Sequence, residues 1–336
     1  MKTQEKPNPD KAVLIEIDER HEAQRLDNFL TAVCKGVPKS HLFRIIRSGE
    51  VRVNRSRAEA KTKLQLGDVV RIPPIKTTIK QNVEPGSSND LLASAAKAAR
   101  QAASIPVLFE DDHLLVVNKP SGMAVHGGSG ESLGVIECLR LSRANAREDL
   151  ALVHRIDRET SGVLVVSKKR SALRVLQQQL RERSWKKYYL TLVHGQWPSQ
   201  LRLVDMALRK TQASQKEQRV FVDPNGDPAV SKFKIIQRLA GFSSIYTLLQ
   251  VRILTGRTHQ IRVHTSARAH PIVGDDRYGD FDLNRKLAKQ GLKRMFLHAA
   301  RLELLHPASK APLVLEAPLA QELDQFLQSL KAVPNS

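Results

Sequence analysis

Cysteine is almost missing from this 336-residue chain, with two residues, Cys34 and Cys138, far apart and each in an apolar, helix-like context. Neither has a second Cys or a histidine at ligand spacing, which excludes a disulfide scaffold or thiolate metal centre and leaves two buried, inert thiols. No apolar run approaches the roughly 20 residues that a bilayer-spanning helix needs. The N-terminus, MKTQEKPNPDK, lacks the apolar stretch of a secretory signal and reads as a short polar tail. Gly127-Gly128-Ser129-Gly130 has neither GxGxxG nor GxxxxGK[ST] spacing, so no nucleotide-phosphate cradle is expected there. Acidic residues are scarce as well: 34 Asp+Glu face 54 Lys+Arg, a net charge of +20. Such an excess costs self-repulsion in the folded state and points to a polyanionic partner. Because the basic residues run through the whole chain, a folded nucleic-acid-binding surface is favoured over a basic arm. A membrane surface is the competing polyanion, but no basic amphipathic helix with an aromatic apolar face and no lipidation motif accompanies the charge.

What is present suits two domains, with 41% hydrophobic residues to build their cores. After a short strand at Val13–Ile17, Leu26, Phe29, Leu30 and Val33 fall at i, i+3, i+4 and i+7, the spacing of an amphipathic helix. A second helix is expected from His41 to Ser48, with Ser40 as N-cap and Gly49 closing it. Its apolar side is Leu42, Ile45 and Ile46, and Arg44 and Arg47 recur on another side. Val51–Asn54 and Leu64–Ile72 carry strand patterns. Residues 20–72 hold twelve Lys+Arg against five Asp+Glu. The blocks RLDNFL, SHLFRIIRSGEVRVN and LQLGDVVRIP resemble the S4 RNA-binding module, which makes Arg44, Arg47, Arg52 and Arg55 candidate RNA contacts rather than an ordinary solvated face. Pro73-Pro74 ends this part, and residues 81–104 have linker composition. The expected division is therefore a tail and short strand over 1–19, an S4-like domain over 20–80, a linker over 81–104 and a second domain over 105–336.

The second domain centres on LVHRIDRETSGVLVVSKK, residues 152–169. Val163–Val166 reads as a buried strand, and Asp157, flanked by Arg155 and Arg158, sits on the loop that feeds it. On local pattern alone, a carboxylate so placed is more often a turn or ion-pair residue than a catalyst. Further along come VLFEDDHLLVVNKPSG, the strand KKYYLTLVHG, TGRTHQIRVH, GDDRYG and FLHAA. The two histidines of TGRTHQIRVH lie five apart without HExxH, so a zinc site is rejected.

HRIDRETSGVLVVSK resembles the HRLDxxTSGxLLxAK signature of the large-subunit-type pseudouridine synthases, with Ile156 in place of the usual Leu, and the other blocks resemble that family's further motifs. The resemblance implies an α+β fold: a mixed, mostly antiparallel sheet preceded by the small S4-like domain. It implies isomerisation of uridine to pseudouridine in RNA, with Asp157 as the catalytic carboxylate and Tyr189 as the cleft tyrosine. Arg257 would pair with the aspartate, and Arg155 would fill the place of the flipped-out base. No metal, nucleotide or other cofactor is implied. The set of blocks is most similar to the subgroup acting on bacterial 23S rRNA, which implies a ribosomal RNA partner, no membrane partner, a cytoplasmic location and a monomer. Two other readings are a non-catalytic RNA-binding or assembly factor and another RNA-modifying enzyme such as a methyltransferase. Intact Asp157, Tyr189 and Arg257 count against the first, and the missing Gly-rich nucleotide loop counts against the second.

Overall fold

The computed structural model describes residues 12–18, 21–22, 24–34, 37–75, 100–127, 133–143, 149–211 and 219–333. The chain divides into two compact units, Met1–Asp90 and Leu91–Ser336. The expected tail (1–11), most of the expected linker (81–99) and Gly128–Gly130 lie outside the described residues.

The first unit contains β1 (Val13–Glu16), α1 (Leu26–Val33), α2 (Lys39–Arg47), β2 (Arg52–Val53), β3 (Ser56–Arg57) and β4 (Val69–Ile72). Its sheet has the order β1-β4-β2-β3, antiparallel throughout. Leu26, Phe29 and Leu30 of α1 and Leu42, Ile45 and Ile46 of α2 are buried in one core with Val51, Val70 and Ile72. Helix α2 starts at Lys39, with Pro38 at the N-cap in extended backbone and no side-chain cap, so Ser40 lies inside the first turn. Proline presets the entry torsion without needing a capped N–H, so the helix begins two positions early. The strand expected over Leu64–Ile72 is confined to Val69–Ile72; Leu64 is buried in a loop that turns through Gly67. Between β2 and β3, Asn54 (φ 49°) and Arg55 (φ 67°) make a two-residue turn with both residues left-handed. Asn54 tolerates this, since it donates from Nδ2 to Asp68 Oδ1 at 2.7 Å and accepts at Oδ1 from the Val69 N–H at 2.9 Å.

The second unit is built on an eleven-stranded sheet. In chain order its elements are β5 (Val107–Glu110), β6 (Leu114–Lys119), α3 (Val135–Ser142), β7 (Ala151–Leu152), β8 (Ser161–Ser167), α4 (Arg170–Arg181) and β9 (Lys186–His194). There follow β10 (Leu203–Asp205), β11 (Leu208–Lys210), β12 (Val220–Val222), β13 (Val230–Gly241), β14 (Ser244–Ile253), α5 (Gln260–Ala267) and α6 (Phe281–Lys289). Last are β15 (Leu297–Leu305), β16 (Pro312–Glu316), α7 (Gln321–Gln328) and β17 (Lys331–Val333). The main path is β10-β13-β14-β9-β15-β8-β6-β5, with β16 on β15, β17 on β13 and β7 on β8; β11 and β12 form a separate ribbon. The β8–β15 pair is parallel and the other named pairs of the sheet are antiparallel. The α+β fold with a mostly antiparallel mixed sheet is therefore as expected. Among the described residues, no helix is long and apolar enough to cross a membrane.

Strand β8 is buried at every position because it is covered on both faces. Leu164 and Val166 pack with Val135, Ile136 and Leu139 of α3, and Val163 and Val165 pack with Leu173 and Leu176 of α4. Gly162 lies where β8 meets β15, paired with Ala299. Its φ is +114°, and a Cβ there would stand 2.2 Å from the Ala299 carbonyl oxygen.

Two outcomes follow for chemical denaturation. Gly162→Ala is expected to lose at least about 2–4 kcal/mol, since both the torsion and the strand contact must give; an unchanged midpoint would mean the strands re-space freely. Arg55→Gly is expected to gain about 0.5–1 kcal/mol by relieving a left-handed Arg in the β2–β3 turn, and a loss would show that the Arg55 side chain holds the hairpin.

Candidate active site

Asp157 lies on the short loop between β7 and β8, and that loop is tied down on both sides. Ile156 is buried among Val125, Leu139 and Leu164. Lys119, the last residue of β6, has no exposed surface and donates to three carbonyls: Pro120 at 2.8 Å, Met123 at 2.7 Å and Arg158 at 2.8 Å. Burial pushes its pKa down to about 7, and the Glu159 and Asp157 carboxylates pull the other way. Ser121 donates to the Glu159 carbonyl at 2.7 Å, and the Gly122 N–H to the Arg158 carbonyl at 2.9 Å. On the far side, Arg294 donates to Ser161 Oγ at 2.7 Å. Ser161 donates in turn to His298 Nδ1 (2.8 Å), whose other nitrogen donates to the Ala317 carbonyl (3.2 Å). The NKPSG block thus braces the Asp157 loop through Lys119 and Ser121.

Asp157 opens into a cleft of about 410 Å³ together with His154, Arg155, Arg183, Trp185, Lys187, Tyr189, Thr255 and Arg257. Strand β9 supplies Lys187 and Tyr189, two residues apart and therefore on one face. Tyr188 faces away, its ring 6.0 Å from the guanidinium carbons of both Arg252 and Arg301. Burial, reinforced by the negative charge of Asp157, raises the Tyr189 pKa, so its hydroxyl stays protonated. Arg155 is exposed at the rim.

The block TGRTHQIRVH enters α5 through His259, which sits at the N-cap in the left-handed region (φ 55°). Arg257 lines the cleft, but its Nε donates to the Pro228 carbonyl at 3.2 Å and its Nη1 lies 3.7 Å from Asp227. The expected Arg257–Asp157 pair is therefore not formed. Five residues later, Arg262 takes Asp275 as its main partner, and the charge of Asp157 adds a smaller contribution in the same direction. Burial opposes the charge on Arg262; its hydrogen bonds to Asp275, with the charges of Asp275, Asp157 and Asp276, outweigh it and raise its pKa. Arg262 donates to both Asp275 oxygens at 2.7 Å in a buried bidentate pair and lies over the Tyr278 ring at 5.1 Å. Helical winding explains the swap: Arg257 precedes the helix and faces the surface ribbon, whereas Arg262 lies inside α5 on its buried side. Tyr278 donates to His259 Nδ1 at 2.8 Å, and burial holds His259 neutral with a pKa of about 4.

Sequence reasoning missed Lys119, Arg262 and Arg294. The available signal for the first was a lysine ending an apolar strand before Pro-Ser-Gly; for the other two, local sequence has no such signal. In the first unit, Arg44 and Arg47 stand exposed on α2, Arg44 loosely paired to Glu50 at 3.5 Å. Arg52 and Arg55 border a shallow hollow with Arg71, and Arg47 borders another with Phe43 and Arg57.

Both units of the chain match known protein families. Residues 113–267 match the RNA pseudouridylate synthase family model, and residues 24–70 match the S4 domain model. The chain belongs to the RNA pseudouridylate synthase family. It is 48% identical over 323 residues to the ribosomal large subunit pseudouridine synthase C of Vibrio vulnificus (strain CMCP6), covering 96% of this chain and 97% of that one. It is 50% identical over 323 residues to the protein of that name from Escherichia coli (strain K12), with the same coverage. Among solved structures it is similar to human RNA pseudouridylate synthase domain containing 1, at 25% identity and a TM-score of 0.56, covering 69% of this chain and 91% of that one.

The Arg262–Asp275 pair generates a stability test. Burial raises the Asp275 pKa, but the Arg262 hydrogen bonds outweigh it and hold the carboxyl below its ordinary value. Its contribution is present above the unfolded carboxylate pKa of about 4 and is lost as pH falls through the lower folded value. Asp275→Asn is expected to cost roughly 3–5 kcal/mol at pH 7 by stranding a buried guanidinium. The gap from wild type in urea unfolding should narrow as pH falls below about 4 toward the lower folded value, where native wild type loses the same charge. A deficit independent of pH would put the cost in packing instead.

Proposed function

We propose that this protein isomerises uridines of 23S ribosomal RNA to pseudouridine, with Asp157 acting at C1′ or C2′ of a flipped-out uridine. The observation that carries the reading is a single cleft holding Asp157 and Tyr189, with Arg155 at its rim, in a chain 48–50% identical over nearly its whole length to enzymes named for the ribosomal large subunit. The isomerisation breaks the N-glycosidic bond, turns the base and remakes the bond through C5, with the C5 proton leaving and N1 gaining one. One carboxylate at the sugar suffices, whereas a retaining glycosidase would need two facing carboxylates. No metal, redox group or nucleotide cofactor is assigned a part.

Asp157 must be ionised to act. A guanidinium near a carboxylate favours its ionised form without competing for the proton, because it does not titrate at working pH. Tyr189 offers its ring face to the detached uracil and its hydroxyl for proton transfer at C5. Flipping the uridine costs a few kcal/mol, and Arg155 takes the vacated place in the stack. Arg257 contributes positive charge to the cleft wall. Residues 20–80 form the S4-like RNA-binding part and 105–336 the catalytic part. Arg44, Arg47, Arg52 and Arg55 contact phosphates, which position RNA without reading its sequence. The protein works as a monomer in the cytoplasm.

The test is tritium release from C5-labelled uridine in unmodified large-subunit RNA. Wild type should release it, while Asp157→Asn should lose roughly 10²–10⁴-fold or more in rate and keep its RNA affinity. Binding by both proteins with release by neither would favour the non-catalytic factor. Equal release by both would mean that a different carboxylate acts.

A further inference from the structure

Two polar groups in the cleft have no use in the chemistry just described. Lys187 precedes Tyr189 by two residues on β9 and projects from the same face, about 6.6 Å along the strand. It lines the cleft half-buried, and among the described residues no carboxylate is recorded within ion-pair distance of it. Its Nζ lies 5.9 Å from the centre of the Trp185 ring. Burial lowers its pKa with no opposing carboxylate. A buried ammonium is normally paired, so one left facing a cleft is poised for an anion.

His154 is the second group. The Val165 N–H donates to its Nε2 at 3.0 Å, so Nε2 carries the lone pair and Nδ1 carries the proton. Burial, with the charge of Lys187, pushes its pKa down to about 3 and keeps the ring neutral. The tautomer is thus set by a strand amide. The ring packs edge-on against Trp185, centroids 5.4 Å apart at 78°. Among the described residues Nδ1–H has no recorded acceptor, and His154 lines the same cleft. His154, Trp185 and Lys187 therefore form one continuous wall of the cleft that Asp157 also lines, presenting one charged and one neutral donor.

We propose that this wall is a phosphate subsite: Lys187 Nζ and His154 Nδ1–H hold a phosphodiester attached to the ribose of the target nucleotide. A uracil lying on Tyr189 directs its own sugar and phosphate along β9 toward Lys187, at a spacing that one nucleotide can bridge. The Trp185 face keeps water from one side of both donors, which strengthens their hold on an anion. Anchoring the phosphate fixes the ribose against Asp157 while the base turns, so the sugar stays in register when the glycosidic bond is open.

The inference rests on the reading of the chain as a uridine isomerase, and the test separates the two. A short large-subunit RNA fragment converted by wild type would be made with its natural phosphodiesters, or with one neutral methylphosphonate on the 5′ or the 3′ side of the target uridine. Wild type, Lys187→Met, Lys187→Arg and His154→Phe would be assayed on each. Lys187→Met should lose roughly tenfold to a hundredfold in kcat/KM on natural RNA, the scale of a charge-assisted hydrogen bond, and Lys187→Arg should recover part of it. One of the two methylphosphonate RNAs should cost wild type a similar factor, and on that RNA Lys187→Met and His154→Phe should lose little more. Losses that multiply on both modified RNAs, or full activity of wild type on both, would overturn the subsite; the second outcome needs no variant to fold. If wild type converts no RNA at all, the isomerase reading falls, and the same comparison made in binding affinity still decides whether the wall holds a phosphate.

Discussion

A single buried ammonium governs the geometry of this site. Lys119 leaves water entirely, which costs several kcal/mol for a charged group, and offsets that cost with three carbonyl acceptors at 2.7–2.8 Å. One acceptor is the carbonyl of Arg158, the residue after Asp157. The end of β6, the Pro-Ser-Gly turn and the loop before β8 are thereby closed around one nitrogen atom. Loops that carry functional groups are ordinarily the mobile parts of a fold, and this one is held as firmly as a strand. Ile156 anchors the same loop from within, and the Arg294–Ser161–His298 chain anchors its exit.

Around that fixed loop the charges are arranged in depth. Arg262 is fully engaged with Asp275 in a buried bidentate pair. Lys187, Arg155, Arg183 and Arg257 line the cleft nearer the solvent, where a polyanion would enter. A net charge of +20 has the same logic at the scale of the whole chain: it draws RNA toward the protein, and the cleft then sorts what arrives. Tyr189, protonated and flat, is an aromatic surface among these cations and suits a base rather than a phosphate.

Much of this was legible in the residues before any coordinates. The helical spacing of Leu26, Phe29 and Leu30 and the unbroken apolar run Val163–Val166 each predicted buried elements, and each is buried. Period and composition are local properties, so they survive into the fold. Element ends were less legible. Ser40 lost its cap position to Pro38, and most of the run Leu64–Ile72 became loop, because a neighbouring torsion or a buried leucine outweighed local preference.

The sequence by itself determined which side chains would serve: the HRIDRETSG block, the tyrosine strand and TGRTHQIRVH were all recognisable as spacing and residue type. Only the tertiary structure decided which of them meet. Alternation along β9 put Tyr189 and Lys187 on the cleft face and Tyr188 against Arg252 and Arg301. One turn of α5 gave Arg262 the interior while Arg257 bonded to Pro228. Lys119 became a structural pin only because β6 ends where the Asp157 loop passes, 39 positions later in the chain. Residue type is written locally, but a side chain's partner depends on which distant segment packs beside it, and the hydrophobic core makes that choice.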